Sequence, residues 1–293
     1  MMVRMHGNPL SPAVRTAVVT VTYNSSVALG PFLNSVIVSE PSPPPVTIAD
    51  NLSADIDECR AIAAEFGATV LSLGRNLGYG GAINAAVRSV PLSYEFVLVS
   101  NPDVLVHPGA ISTLEEVMRA NPQAAAVGPR VLNSDGTTYP SARRIPSLRT
   151  GVGHAIFSRI WPSNPWTRSY RSENATGTEI RPVGWLSGAC LLIRRSAFDD
   201  IGGFDQAFFM YFEDVDLGYR LGQAGWQNLY VPDAIVTHTG AHSTSTDSLR
   251  MIAAHHDSAY LFLSRKYRSW YLAPVRWVLR GTLSIRSWWA TRG

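Results

Sequence analysis

From residue 14 to residue 100 the chain alternates short apolar, β-branched runs with segments of helical spacing, and this limits the possible fold more than any other feature. Val14–Thr22 (VRTAVVTVT) is continuous rather than alternating, as expected of a strand buried on both faces. Helical spacing near Val27–Ser39 follows, then Val46–Asp50 as a second strand and Ala54–Phe66 as a helix. Thr69–Leu73 reads as a third strand, Gly80–Val90 as a helix, and Phe96–Ser100 (FVLVS) as a fourth strand running straight into Asn101-Pro102-Asp103. The order predicts an α/β fold: a Rossmann-like, mostly parallel sheet with right-handed crossovers, flanked by helices. Ligands of such sheets sit beyond the carboxyl ends of the strands, which makes Thr22, Asn24, Asp50, Asn51, Asn76 and Asp103 candidate contacts.

The pattern loosens after another strand at Ala124–Arg130. Residues 133–182, rich in Ser, Pro, Arg and Trp, read as an extended surface region, and Trp185–Arg194 restores regularity. A helix near Glu213–Ala224 precedes strands at Asn228–Val231 and Ile235–Thr237, and a helix over Asp247–Lys266 leads into a basic tail. The predicted division is an N-terminal extension (1–13), two halves (14–130 and 131–257) and a helical tail (258–293).

Composition excludes several classes. With 46% hydrophobic and 16% charged residues the chain is not of the disordered type. No apolar stretch approaches the roughly 20 residues a bilayer span needs, and no secretory signal pattern is evident. Cys59 and Cys190 are isolated, which points to a reducing cytoplasm. Lys266 is the only lysine, so a GxxxxGK[ST] phosphate loop is ruled out. The formal net charge of +3 divides unevenly: no Asp or Glu occurs from Ser258 onward, where one lysine and six arginines give +7, leaving −4 for the rest. Tyr267, Trp270, Tyr271, Trp277, Trp288 and Trp289 are interleaved with those charges. A basic aromatic segment of this kind suits an anionic surface, either lipid or nucleic acid.

Four groups of residues carry the chemistry. Asp103 ends the fourth strand, where a carboxylate can serve a turn or hold a hard divalent cation, Mg²⁺ or Mn²⁺. Asn76–Asn84 (NLGYGGAIN) fails the dinucleotide pattern, since Gly78-x-Gly80 has no third glycine three positions on. It remains a glycine-rich turn whose amides, Gly78 among them, can approach a phosphate or simply permit a tight turn. Glu213, Asp214 and Asp216 follow an aromatic run, either as acids favoured in a first helical turn or as a site holding a general base. His238 and His242 follow the last strand, where a histidine can complete a metal shell begun by Asp103.

As a set, these segments resemble the family 2 inverting glycosyltransferases of the GT-A fold. The matching pieces are Val18–Asn24, Asp50–Ser53 with Asp55, Asn76–Asn84, Asn101–Asp103, Gly184–Cys190 (GWLSGAC), Gly202–Asp216 (GGFDQAFFMYFEDVD) and His238. The resemblance implies that Thr22, Asn24, Asp50, Asn76, Gly78 and Asn101 hold a nucleotide sugar, that Asp103 and His238 bind the metal, that Asp214 with Glu213 is catalytic, and that Trp185 lines the sugar or acceptor pocket. The DxD motif of the family reads Asn101-Pro102-Asp103 here, so its first carboxylate is absent. Within the family the chain looks most like the actinobacterial rhamnosyltransferases acting on polyprenyl-diphospho-N-acetylglucosamine, through Tyr139–Pro146, Trp161–Tyr170, Arg181–Arg195 and Ala241–Thr244. That likeness implies dTDP-L-rhamnose as donor, a polyprenyl-diphosphate-linked acceptor, and a role in arabinogalactan-linker synthesis. Residues 14–130 would then bind the nucleotide sugar, and 131–257 the acceptor.

Arg143, Arg144, Arg149, Arg159, Arg168 and Arg171 form a second basic region suited to the acceptor's diphosphate. For the tail, a helical projection from Pro274 gathers Trp277, Val278, Ile285, Trp288 and Trp289 on one face, with Arg276, Arg280 and Ser287 opposite. The pattern fits a helix on the inner membrane face better than nucleic acid; packing against the body is the plainer alternative. Two functional alternatives stand beside rhamnosyl transfer: a family 2 enzyme moving another sugar, and a non-catalytic nucleotide-sugar binder, which would have no need of a base.

Overall fold

The computed structural model describes residues 14–148, 177–240, 248–278 and 280–281. The expected alternation is present as β1 (Thr16–Thr22), α1 (Ser26–Ser39), β2 (Val46–Asp50), α2 (Ile56–Glu65), β3 (Thr69–Ser72), α3 (Gly78–Ser89) and β4 (Phe96–Ser100). Two elements that sequence reading passed over follow, β5 (Val104–Val106) and α4 (Ala110–Ala120). The rest comprises β6 (Ala124–Asn133), β7 (Thr138–Tyr139), β8 (Ala142–Arg143), β9 (Arg181–Val183), β10 (Trp185–Leu186), β11 (Cys190–Arg194), α5 (Arg195–Asp200), α6 (Glu213–Gln223), β12 (Gln227–His238) and α7 (Ser248–Lys266).

One sheet carries the strand order β3-β2-β1-β4-β11-β6-β12-β5, with β7 paired to β6 and β9 to β12. β1 pairs in parallel with β2 and β4, β2 with β3, and β6 with β12, while β11 runs antiparallel to both β4 and β6. The carboxyl ends of β1, β2, β3, β4 and β12 therefore share one edge of the sheet with the amino end of β11. Strands on both sides of residue 130 belong to this sheet, and β6 itself crosses that position.

Both faces of the sheet are covered, which explains the unbroken apolar strands. Val18 points into a core with Leu29, Phe32, Cys59, Leu114 and Met118; Ala17, Val19 and Val21 point into the opposite core with Ile83, Val87, Phe198, Leu217 and Leu221. Phe32 is fully buried, a position at which truncation to alanine costs about 3–5 kcal/mol.

One sequence expectation is corrected and two are resolved in detail. The two strands expected at Asn228–Val231 and Ile235–Thr237 are one strand, β12, interrupted by a register shift between Val231 and Ile235. Pro232 lies in that interval and cannot donate to the ladder, so the strand bulges there instead of ending. Trp185–Arg194 is two strands: β10 leaves the main sheet to pair with β8, and β11 enters it. The surface region expected over 133–182 contains the short strands β7, β8 and β9. Arg149, Arg159, Arg168, Arg171, the segment Trp161–Tyr170 and His242 lie outside the described residues, as do Ile285, Trp288 and Trp289 of the tail. Within the described tail Trp277 is 77% exposed and Trp270 85%, so neither packs against the body. No helix among the described residues is long and apolar enough to cross a membrane.

Candidate active site

The edge of the sheet has two ends with different chemistry. At the β1–β3 end the polar side chains are spent on one another. The β1–β2 register places Thr22 opposite Asp50, and the Thr22 hydroxyl donates to Asp50 Oδ2 at 3.2 Å. Asp50 Oδ1 accepts the Ser53 amide at 3.2 Å, and both Thr22 and Asp50 are buried. Asn24 adopts φ +52°, which lets its Oδ1 accept the Ala54 amide at 2.8 Å while its own amide donates to Ser53 Oγ at 3.1 Å. Asn51 Nδ2 donates to Asn76 Oδ1 (2.9 Å) and Asn51 Oδ1 accepts the Leu77 amide (2.7 Å). These bonds staple the loops after β1, β2 and β3 into one rim, with Tyr23 and Leu52 exposed upon it.

The glycine-rich turn has a packing cause. Gly78 adopts φ +71°, and a Cβ there would lie 2.2 Å from the Phe209 carbonyl oxygen. A Cβ on Gly80 would lie 2.8 Å from that of Phe204. The glycines thus let α3 meet the 204–209 segment, and the Tyr79 amide donates to that same Phe209 carbonyl at 3.2 Å.

At the other end β4 and β12 bring Asp103 and His238 together. His238 Nε2 lies 3.1 Å from Asp103 Oδ1, with side-chain exposures of 21% and 13%. Asp103's backbone carbonyl accepts both the amide and the hydroxyl of Thr239, at 3.0 and 2.9 Å, which fixes the aspartate turn against the end of β12. One imidazole nitrogen and one carboxylate oxygen, both partly accessible, suit Mn²⁺ or Mg²⁺. Among the described residues no group of three or more His, Cys, Asp or Glu gathers here. Asn101 lies beside them, its amide donating to the Ala189 carbonyl at 2.9 Å.

Asp214 occupies the first turn of α6 at the amino end of β11. Its Oδ2 accepts the Gly188 amide (3.0 Å) and its Oδ1 the Val215 amide (2.8 Å). Burial raises its carboxyl above the usual range, opposed by those amides and by the charge of Arg143. Glu213 is buried, and its Oε2 has no hydrogen-bond partner among the described residues. Burial and then the neighbouring Asp214 charge push its carboxyl up to about 8. Tyr79 links the two ends: its hydroxyl donates to the Gly188 carbonyl at 2.6 Å. Burial first, then the charges of Glu213 and Asp214, hold its phenol well above its ordinary value. Asp216, by contrast, is structural. It pairs with Arg220 Nε at 2.6 Å, and Arg220 in turn donates to the Ile201 and Gly203 carbonyls.

The backbone entering α6 is unusual. Tyr211 and Phe212 adopt φ +65° and +63° in succession, and for side chains larger than glycine each such residue costs on the order of 1–2 kcal/mol. Trp185 and Arg143 face each other across the β8–β10 pair, with the guanidinium 5.7 Å from the indole centroid. Trp185 Nε1 donates to the Arg144 carbonyl at 3.1 Å. A Cβ on Gly218 would lie 2.7 Å from that of Trp185, so this glycine seats α6 directly on β10. Buried Asn228 completes the joint by donating to the Gly184 and Gly218 carbonyls.

The structure thus gathers Asp103, His238, Asn101, Glu213 and Asp214 at one end of the edge and Thr22, Asn24, Asp50, Asn76 and Gly78 at the other. Trp185, Arg143 and Arg144 form a side wall behind α6. Sequence reading left Tyr79, Gly188 and Asn228 unassigned; Tyr79 and Gly188 lie inside quoted motifs, but their hydrogen bonds arise only on folding.

A family profile described as Glycosyltransferase like family 2 matches residues 12–254. The chain is 47% identical over 279 residues, 92% of its own length and 91% of the relative's, to N-acetylglucosaminyl-diphospho-decaprenol L-rhamnosyltransferase of Mycobacterium tuberculosis. It is 38% identical over 195 residues to the rhamnosyltransferase WbbL of Escherichia coli K12, covering 64% of this chain and 71% of that one. Among solved structures, a mannosyltransferase of Pyrobaculum calidifontis in complex with GDP-Man and Mn²⁺ superposes with a TM-score of 0.58 at 16% identity, over 94% of this chain and 72% of the other. GalNAc-T7 with UDP, GalNAc and Mn²⁺ superposes with 0.57 at 16% identity, over 78% and 43%. The sheet order is thus that of the GT-A fold, and the chain belongs to the family 2 glycosyltransferases.

Proposed function

We propose that the protein transfers L-rhamnose from dTDP-L-rhamnose to polyprenyl-diphospho-N-acetylglucosamine, with inversion at the anomeric carbon. The observation carrying this reading is the 47% identity, over nine-tenths of both chains, to a relative named for that transfer. The geometry supports a single displacement. Asp214, held by two amides, receives the proton of the acceptor hydroxyl as that oxygen attacks. The raised pKa of Asp214 improves it as a base near neutral pH. The rim of Thr22, Asn24, Asp50 and Asn76 receives the nucleotide together with Gly78, and Asn101 meets it from the Asp103 end. Asp103 and His238 would hold a divalent cation, which when bound neutralises charge on the departing diphosphate. Trp185, Arg143 and Arg144 form the acceptor wall, the arginines meeting its diphosphate and Trp185 its sugar.

The partner surface follows from the tail. Trp270, Tyr271, Trp277 and Val278 are exposed, and Arg268 and Arg280 lie among them. Such a surface suits the anionic inner face of the cell membrane, where a polyprenyl acceptor resides, and leaves nucleic acid without support from the fold. Lys266 Nζ donates to the Pro146 carbonyl and Tyr267 Oη accepts the Leu148 amide, which joins the tail to the segment that follows Arg143 and Arg144.

A screen of nucleotide sugars, scored by diphosphate release with the lipid-linked acceptor and added Mg²⁺ or Mn²⁺, tests the reading. Turnover confined to dTDP-L-rhamnose is expected; equal turnover with another sugar would replace the donor. Trp277→Ala together with Arg268→Ala is expected to weaken binding to phosphatidylglycerol vesicles about tenfold. Unchanged vesicle binding would remove the membrane from the proposal.

A further inference from the structure

We infer that α7 is a positioning element for the catalytic turn, acting through Phe262 and Ser258, although it adds no strand to the sheet and no group to the chemistry. The inference rests on the reading of Asp214 as the base. Asp214 is reached through Tyr211 and Phe212, two consecutive left-handed aromatic residues whose backbone is intrinsically unfavourable. A conformation of that kind persists only where its surroundings over-determine it, and here the surroundings are α7.

Three contacts converge on the turn. The Ser258 hydroxyl, buried, donates to the Met210 carbonyl at 2.9 Å, fixing the residue before the left-handed pair. Phe262, 1% exposed, packs on Phe212 with ring centroids 5.9 Å apart and edge-on against Tyr219 of α6 at 5.6 Å. The His255 ring lies 5.5 Å from that of Tyr211 and 5.3 Å from that of Phe212. Farther along α7, Arg265 pairs with Asp205 and lies over Phe208, at the start of the same segment. Phe208, Val215 and Phe262 form a small apolar core separate from the two that cover the sheet, with Trp185 and Ile145 of the acceptor wall packed against it. The helix thus grips the turn from Phe208 to Val215, which meets the rim at Phe209 beside Gly78, while the helix's own contacts to Met210, Tyr211 and Phe212 lie on the Asp214 side of the turn. Loosening it should cost turnover rather than donor binding.

The test compares Phe262→Ala, Phe262→Leu and Ser258→Ala with the wild type, using whichever nucleotide sugar the wild type turns over. An error in the assigned donor therefore leaves the comparison intact. Phe262→Ala is expected to lower kcat about 30-fold with the donor KM and the affinity for that donor's nucleoside diphosphate changed less than about threefold. Phe262→Leu, which refills the space, is expected to recover most of kcat. Hydrogen exchange should rise at residues 210–215 and stay unchanged in 16–22. Ser258→Ala removes one hydrogen bond and leaves the aromatic packing whole; a fall in kcat of about fivefold is expected, with the melting temperature lowered by only a few degrees. That variant decides the matter if Phe262→Ala does not fold. A wild-type kcat in folded Ser258→Ala or Phe262→Ala, or a parallel loss of nucleoside-diphosphate affinity and kcat, would overturn the assignment.

Discussion

The two ends of the sheet edge are built on opposite principles. At the β1–β3 end every assigned polar side chain already has a protein partner: Thr22 with Asp50, Asn24 with Ala54, Asn76 with Asn51. At the β4–α6 end Glu213 and Asp214 are desolvated, Glu213 Oε2 has no hydrogen-bond partner among the described residues, and the turn leading to Asp214 is strained. Under the proposed function, the first end is a pre-organised surface that ligand can meet without rearrangement, and the second holds unfavourable electrostatics where charge and protons would move. Binding and chemistry are therefore separable by mutation, and the contrast can be broken at either end.

The largest effect is expected from Asp214→Asn, which keeps the shape and removes the proton acceptor. Turnover should fall about 10³-fold in folded protein, measured as diphosphate release. Asp103→Asn should follow, with turnover down about 10²-fold and the response to added Mn²⁺ shifted to higher concentration. Asp50→Ala acts at the other end. It leaves the buried Thr22 hydroxyl unpaired, so dTDP affinity should weaken about tenfold and stability fall by roughly 1–3 kcal/mol, read by calorimetry and denaturant titration.

The smallest effect concerns pH. Glu213 has a folded-state pKa of about 8 against an unfolded value near 4.5, so between those values the folded chain holds a proton that the unfolded chain has released. Its contribution to stability is present below the unfolded pKa and is lost as pH rises through about 8. The melting temperature should decline across that window, and Glu213→Gln, permanently neutral, should decline less. An equal decline in the variant would show that Glu213 is not the group responsible.

The same contrast decides what the sequence discloses. The polar residues at both ends of the edge were partly legible because the apolar runs locate strand ends: Thr22 and Asp50 close β1 and β2, and Asp103 follows β4 by three residues. The left-handed Tyr211–Phe212 pair was invisible, since such residues are ordinarily read from glycine or asparagine and these two are held by a helix some 45 residues later in the chain. Gly78 and Gly80 were recognised as a turn, but their reason, the approach of Phe204 and Phe209, is a long-range contact. Asp216 shares its local sequence with Asp214, and only its pairing with Arg220 separates scaffold from site. β5 and α4 escaped notice, the first being three residues long and the second following a proline-bounded loop.

The division of labour is most directly tested by titrating dTDP calorimetrically into Asp214→Asn and Asp50→Ala side by side. Wild-type affinity in Asp214→Asn and weakened affinity in Asp50→Ala are expected. Weakened affinity in Asp214→Asn with wild-type affinity in Asp50→Ala would contradict the assignment of binding to one end of the edge and chemistry to the other.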